Sequence, residues 1–242
     1  MRTLVTGGTR GIGAAVARRL AADGHDLLLG YGRDDAAAAH TQGACRELGV
    51  DCTTVRADLT TDDGIEALFG AAGDLTGVVN NAGATLHIGT LADTPPDVVR
   101  ATVDLNLTSA LLVARAAVRV LGRSRGGAGG VLVNVSSGAA TLGSPGEYVQ
   151  YAAAKAGVDA LTIGLAQEVA ADGVRVVGVA PGIIETTIHA DAGEPGRVER
   201  VGPLVPLGRA GRADEVANAV AWLLSDEASY ITGTTLRVAG GR

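Results

Sequence analysis

Arg2-Thr3-Leu4-Val5-Thr6-Gly7-Gly8-Thr9-Arg10-Gly11-Ile12-Gly13, running on into Ala14 to Ala22, is the stretch from which the architecture of this chain is read. The apolar run Arg2 to Thr6 has the length and composition of a strand, and the pattern from Ala14 to Ala22 is helical. Between them Gly7, Gly11 and Gly13 are spaced G-x-x-x-G-x-G. A strand, a glycine-rich turn and a helix in that order open a dinucleotide-binding βαβ unit. The glycines let backbone N–H groups and the positive helix N-terminus approach a pyrophosphate with no Cβ in the way. Thr9, Arg10 and Ile12, interleaved with the glycines, are expected on the same ligand. In a chain with 36 glycines the spacing alone also fits a flexible turn, so the reading rests on the remainder of the chain.

Beyond Ala22 strand and helix patterns alternate. Strands are expected at Asp26 to Leu29, Val50 to Val55, Leu75 to Val79, Val131 to Val135 and Val174 to Val179. Helices are expected at Asp35 to Leu48, with its alanine run as the buried stripe, from near Thr61, at Pro95 to Val120, and around Tyr151. That order implies an α/β fold: one doubly wound, mostly parallel sheet with helices on both faces. No internal repeat or linker divides the chain, so residues 1–242 are expected to form a single domain. The polar, aperiodic segment from Thr187 to Pro206 is long for a plain connection and is expected to be a substrate lid.

Ligands of open parallel sheets bind at the carboxyl ends of the strands, so the residues there are the candidates for binding. The second strand runs into Gly30-Tyr31-Gly32-Arg33-Asp34. An acid at this tip would accept bonds from a free ribose 2′-hydroxyl, and an arginine would accommodate a 2′-phosphate. Tyr31 occupies the deciding position, Arg33 follows, and Arg10 could close on the same phosphate, which favours NADP(H) over NAD(H). The alternative is a solvated Arg33 with Asp34 as the reader. Asp58, followed by Leu59, is expected on the adenine, unless it caps the next helix. Asn81, Ala82 and Gly83 permit close backbone approach to a flat ligand, although the tetrapeptide beginning at Asn80 also fits a turn. Asn106, a mediocre helix former among apolar neighbours, suggests a kink or a held water.

Of the 20 basic residues 19 are arginine, and the single lysine is Lys155. Tyr151 lies one helical turn before it, which puts phenol and ammonium on one helix face. A phenol is a poor acid or base at neutral pH unless a cation favours its ionised form, so the pair is a device for moving a proton to or from an oxygen. Tyr148 lacks such a partner, because its i+4 neighbour is Ala152. The strand ending at Val135 delivers Ser136 and Ser137 to the same sheet edge, and Gly143-Ser144-Pro145-Gly146 turns the chain into the Tyr151 helix.

Composition excludes several classes. Acidic residues number 26 and the formal net charge is -6, against a nucleic-acid footprint. No apolar run is expected to reach the roughly 20 residues of a membrane span, and the first strand begins at once, so a cytoplasmic protein is expected. Cys45 and Cys52 are too few for a disulfide framework, and the four histidines lack metal-ligand spacing, so no metal site is expected.

Taken together, Thr6-Gly7-x-x-x-Gly11-x-Gly13, Asn80-Asn81-Ala82-Gly83, Asn106, Asn134-Val135-Ser136-Ser137, Tyr151-x-x-x-Lys155, Pro181-Gly182 with Thr186, and the tail from Pro206 to Gly241 resemble the short-chain dehydrogenase/reductases along nearly the whole chain. Within that family the likeness is to the 3-oxoacyl-carrier-protein reductase and sugar or alcohol dehydrogenase branches. The resemblance implies a Rossmann fold and nicotinamide-dependent hydride transfer to or from a carbonyl carbon. It implies that Tyr151 protonates the substrate oxygen, Lys155 bonds the nicotinamide ribose and lowers the tyrosine pKa, Ser137 orients the carbonyl, and Asn106 holds a water. Thr186 and the Ile184 backbone would fix the carboxamide, and Pro181 and Gly182 would also contact the cofactor. The interval from Ser137 to Tyr151 is one residue longer than is usual in the family. The resemblance also implies a homotetramer built through the Asn106 helix, the Tyr151 helix and the C-terminal strand. Two other readings stay open: an NAD(H)-dependent sugar or polyol dehydrogenase, and a cofactor-binding regulator without turnover.

Overall fold

The computed structural model describes residues Met1–Arg242. Its strands are β1 (Arg2–Thr6), β2 (Asp26–Tyr31), β3 (Cys52–Arg56), β4 (Gly77–Asn80), β5 (Gly130–Val135), β6 (Val174–Pro181) and β7 (Thr235–Val238). They form one seven-stranded sheet in the order β3-β2-β1-β4-β5-β6-β7, parallel throughout. The order reverses between β1 and β4, and that switch point opens the crevice for a ligand.

Consecutive strand residues point to opposite faces, and both faces are buried. Val5, Leu27, Leu29, Val79, Val133 and Val177 belong to one core cluster. Their neighbours Leu4, Leu28, Val78, Leu132 and Val176 belong to a second. The first core is closed by α1 (Gly11–Ala22) and α6 (Ala213–Leu224), while α3 (Asp62–Gly70), α4 (Pro96–Leu121) and α5 (Val149–Val169) close the second. Strands buried on both faces read as continuous apolar runs, which is why their positions were legible.

Two expectations need correction. In α2 (Asp35–Arg46) the buried stripe is Ala38, Thr41 and Cys45, and the rest of the alanine run lies outside it. Helix α4 is long and apolar enough to cross a membrane, contrary to the expectation from sequence. Its Val113, Ala114, Ala117, Val118 and Leu121 instead pack into the core beneath the sheet. The segment from Thr187 to Pro206 carries short helices at Ile188–Asp191 and Arg197–Val201 and a further turn at Gly202–Leu204.

Candidate active site

A cavity of about 660 Å³ runs along the carboxyl edge of the sheet, from the glycine loop and Arg33 at one end to Tyr151, Lys155 and the 187–197 segment at the other. The loop is shaped by backbone constraints that only glycine meets. Gly7 and Gly11 have φ of 60° and 50°. A Cβ on Gly13 would collide with the Gly7 carbonyl oxygen. The Asn81 amide reaches back to donate to the Thr6 and Gly7 carbonyls, at 2.9 and 3.2 Å. The Thr6 hydroxyl accepts from the backbone N–H groups of Asn81 and Ala82, at 2.9 and 3.0 Å. Thr6 therefore joins the ends of β1 and β4 across the switch point, a role that its place in the sequence motif did not reveal.

Gly7, Thr9, Arg10, Gly11, Ile12, Gly13, Tyr31, Arg33, Asn81, Ala82 and Gly83 all line the cavity. At its adenosine end the Asp34 carboxylate accepts from the Ala37 N–H at 2.9 Å and so caps α2. Tyr31 donates to Asp35 at 2.9 Å, which leaves Arg33 exposed on the wall with no side-chain partner. Arg10 does not join it: its guanidinium donates to Thr187 at 2.7 Å and to Asp191 at 2.8 Å, across the cavity mouth. Asp58 and Leu59 are absent from the cavity wall. Asp58 is also not the cap of α3, since Thr61 accepts from the Gly64 N–H in that role. The Asp58 carboxylate accepts from the hydroxyl and backbone of Thr60, which holds its pKa below the usual range.

At the other end β5 and α5 bring Ser137, Tyr151 and Lys155 together. Ser136 points inward and donates to the Lys155 carbonyl at 3.2 Å. Ser137 lines the cavity, and its oxygen accepts from the Ala139 N–H at 3.1 Å, leaving the hydroxyl hydrogen to donate. The Lys155 ammonium donates to the Val135 carbonyl at 2.9 Å and lies 5.8 Å from the centre of the Tyr151 ring. Burial pushes the Tyr151 phenol up to about 12, with the Ser137 hydroxyl drawing it back. Burial also pushes Lys155 down to about 8, the Asp159 charge opposing. Tyr151 thus lies above the ordinary phenol value, the opposite direction from the lowering that the resemblance implies. Lys155 faces a main-chain carbonyl, and desolvation dominates both groups.

Asn106 sits in a π-helical turn, Asp104–Thr108, inside α4, so the kink is present. Its Nδ2 donates to the Ala84 and Thr102 carbonyls at 2.8 and 2.9 Å, while its Oδ1 accepts from the Ala84 N–H at 3.1 Å. Both amide hydrogens are thus spent on protein, and a π turn of this kind often marks a functional position. Pro181, Gly182, Ile184 and Thr186 lie on the cavity wall at the end of β6.

Sequence reasoning missed the cluster that closes this end. Arg197, only 1% exposed, pairs with both oxygens of Glu147 at 2.9 and 2.5 Å and with Glu194 at 2.9 Å. It also donates to the Tyr148 hydroxyl at 2.8 Å, and Tyr148 packs edge-on against Tyr151 with ring centres 5.5 Å apart. Glu147 comes from the long turn between Ser137 and Tyr151, where Gly143, Ser144 and Gly146 adopt positive φ. The one legible signal was that longer interval.

A family model described as "Enoyl-(Acyl carrier protein) reductase" matches residues 7–242. The chain is 44% identical over 243 residues to the uncharacterized oxidoreductase YgfF of Escherichia coli K12, covering 99% of this chain and 98% of that one. It is 38% identical to 3beta-hydroxysteroid dehydrogenase 1 of Eggerthella lenta, covering 98% and 92%. The crystal structure of acetoin dehydrogenase YohF from Salmonella typhimurium superimposes with a TM-score of 0.87 at 33% identity, covering 99% and 95%. With a parallel sheet of this order and a Tyr-x-x-x-Lys helix at its carboxyl edge, the chain belongs to the short-chain dehydrogenase/reductase family, whose members are NAD(P)-dependent oxidoreductases.

Proposed function

We propose that this protein is an NADP(H)-dependent reductase or dehydrogenase acting between a carbonyl and a secondary alcohol, of the 3-oxoacyl or ketone reductase type. The observation that carries the reading is that one cavity holds Ser137, Tyr151 and Lys155 at one end and the glycine loop with Arg33 at the other. The cradle fits a dinucleotide. Gly7 and Gly13 keep the loop clear of Cβ atoms, and a Cβ on Gly83 would meet Asn106 Oδ1 at 2.6 Å. The nicotinamide, when bound, supplies or accepts the hydride. Gly7, Thr9, Arg10, Gly11, Ile12 and Gly13 hold the pyrophosphate side, and Asn81 to Gly83 with Pro181, Gly182, Ile184 and Thr186 hold the nicotinamide side.

The rest of the chemistry belongs to the chain. Ser137 donates to the substrate carbonyl oxygen and polarises it. Tyr151 donates its phenolic proton to that oxygen as negative charge develops there. A phenol held near 12 keeps its proton until an oxyanion forms beside it. The Lys155 ammonium, 5.8 Å from the ring centre, then stabilises the tyrosinate left behind. Asn106 holds the main chain at Ala84 in register with this end of the cavity.

Arg33, without a protein partner, is the residue we assign to the 2′-phosphate. Arg33→Ala is expected to weaken NADPH binding by about tenfold or more, as the loss of a charge-assisted contact would, and to change NADH binding by less than about twofold. Equal losses would make Arg33 an ordinary loop residue. A second reading, an NAD(H)-dependent sugar or polyol dehydrogenase, draws on Arg10. Its engagement with Thr187 and Asp191 removes the second cation from the phosphate. A paired titration of NADPH and NADH, followed by turnover with ketones, 3-oxoacyl thioesters and aldoses, separates the two. Tight NADPH binding with ketone or thioester turnover supports the first reading; NADH preference with aldose turnover supports the second.

The same reading takes residues 1–242 as one cofactor-binding domain with 187–206 as its lid. It takes the assembly as a homotetramer, for which the exposed Leu111, Ile163 and Leu236 on α4, α5 and the edge strand β7 provide apolar contact surface.

A further inference from the structure

Along the 187–200 side of the cavity every arginine is matched by an acid, and the cations without an acidic partner, Lys155, Arg242 and, at the opposite end, Arg33, come from other segments of the wall. Four of the five Arg197 donor hydrogens are taken by Glu147, Glu194 and Tyr148, and Arg200 pairs with Glu194 at 2.6 Å. Two arginines and two glutamates sum to zero charge. Arg10 is likewise matched by Asp191 at 2.8 Å. Leu86, Leu142, Ile188 and Ala192 supply apolar wall. An anionic group lying against the 187–200 segment would find no unpaired arginine there to replace its hydration.

On the 187–197 segment of this wall the side chain with both of its polar atoms unspent is a histidine. His189, on the lid helix Ile188–Asp191, lines the cavity and is 7% exposed. The helix is held in place by the Thr85 hydroxyl, which donates to the Ile188 carbonyl at 3.3 Å. His189 Nδ1 is sealed off with no partner. Its Nε2 also has no protein partner but is not among the sealed atoms, so it is the nitrogen on the accessible edge of the ring. Burial and the Arg197 charge push the imidazole down to about 4, against the attraction of Glu194 and Glu147, so the ring is neutral at physiological pH. A neutral imidazole carries one N–H. A buried donor left unpaired is rarer than an under-satisfied acceptor, which places the hydrogen on Nε2 and the idle lone pair on the sealed Nδ1.

We propose that His189 is a specificity-determining residue that donates a hydrogen bond from Nε2 to a second, uncharged oxygen of the substrate. The substrate class is then a neutral ketone or secondary alcohol bearing a hydroxyl, carbonyl or ether oxygen remote from the reacting carbon. This rests on the carbonyl-reductase reading above and narrows it.

The test measures kcat and KM for a chain-length series of terminal-hydroxy methyl ketones. Two comparison series replace the hydroxyl by a methyl group or by a carboxylate. The expected result is a kcat/KM preference of about tenfold for the hydroxy ketone over its methyl counterpart at the best length, the worth of one well-made hydrogen bond, with the carboxylates poorest. His189→Phe, which keeps a ring of similar size, should erase that preference while changing the methyl series by less than about twofold and leaving NADPH affinity unchanged. His189→Gln, which retains an N–H donor, should restore part of it. A wild-type enzyme that prefers the carboxylates, or shows no oxygen preference at any length, overturns the proposal. So does a His189→Phe variant that loses both neutral series equally. Turnover of none of the ketones would instead overturn the reductase reading on which it stands.

Discussion

Tyr151→Phe is expected to lower kcat for carbonyl reduction by about a thousandfold, within the range that general acid catalysis supplies, while the cofactor dissociation constant changes by less than about twofold. The phenol is buried and shifted toward its protonated form, with the Ser137 hydroxyl beside it, and phenylalanine preserves the ring that packs on Tyr148. The variant therefore removes one proton and little else. Single-turnover absorbance decay of bound NADPH after mixing with ketone reads the chemical step directly. A variant retaining most of its kcat would move the proton donor elsewhere, and Tyr148 is the nearest phenol.

Lys155→Met is expected to move activity and stability in opposite directions. The ammonium is 4% exposed, bonded to one main-chain carbonyl, and has no carboxylate partner. Its pKa falls from 10.5 to about 8 because burial disfavours the charged form. The sign follows from the two states. Below about pH 8 both folded and unfolded chains carry the proton, and the folded chain bears the full cost of the buried charge. Between about 8 and 10.5 the folded chain has released the proton and the unfolded chain has not, so the cost fades with rising pH. Methionine removes that cost and leaves the Val135 carbonyl unpaired. The variant should be more stable than the wild type by about 2 kcal/mol near neutral pH, with the difference closing toward the upper end of that window. Its kcat/KM should fall by about a thousandfold. Lys155→Arg should also be severely impaired, since a planar guanidinium cannot take the place of a compact ammonium in a sealed site. Denaturant titrations at several pH values check the first claim and steady-state kinetics the second. A Lys155→Met variant less stable than the wild type at neutral pH would mean that the ammonium is a structural tie.

Function and stability are thus expected to conflict at Lys155. Three arginines near the cavity are matched: Arg10 by Asp191, Arg197 by Glu147 and Glu194, Arg200 by Glu194. Arg33 and Arg242, also on the wall, have no acidic partner, and Arg33 is exposed, where an unpaired charge costs little.

The parts of the molecule legible in the sequence are those governed by short-range geometry. The strand, glycine turn and helix from Arg2 to Ala22 could be read because φ limits and Cβ clashes act within a few residues, as the collision that a Cβ on Gly13 would make with Gly7 shows. The pairing of Tyr151 with Lys155 could be read because four residues make one turn of α5. The kink at Asn106 could be read because an amide in an apolar helix competes for backbone bonds, and a π turn is what resulted. Contacts between residues distant in sequence could not be read. Arg10 looked free to meet a phosphate, but Thr187 and Asp191 hold it. The Arg197 clamp needs Glu147, some 50 residues away, and the ring nitrogen of His189 is orphaned only once the chain has closed around the Ile188–Asp191 helix. The protonation energetics of Tyr151 and Lys155 were likewise set by burial and not by their spacing. The α/β alternation, the glycine loop and the tyrosine–lysine pair follow from residues close along the chain, because local sterics and helical periodicity need no distant partner. Which charges are spent, which are free and what the substrate end of the cavity offers depend on the folded chain, because desolvation and long-range contacts arise when it closes on itself.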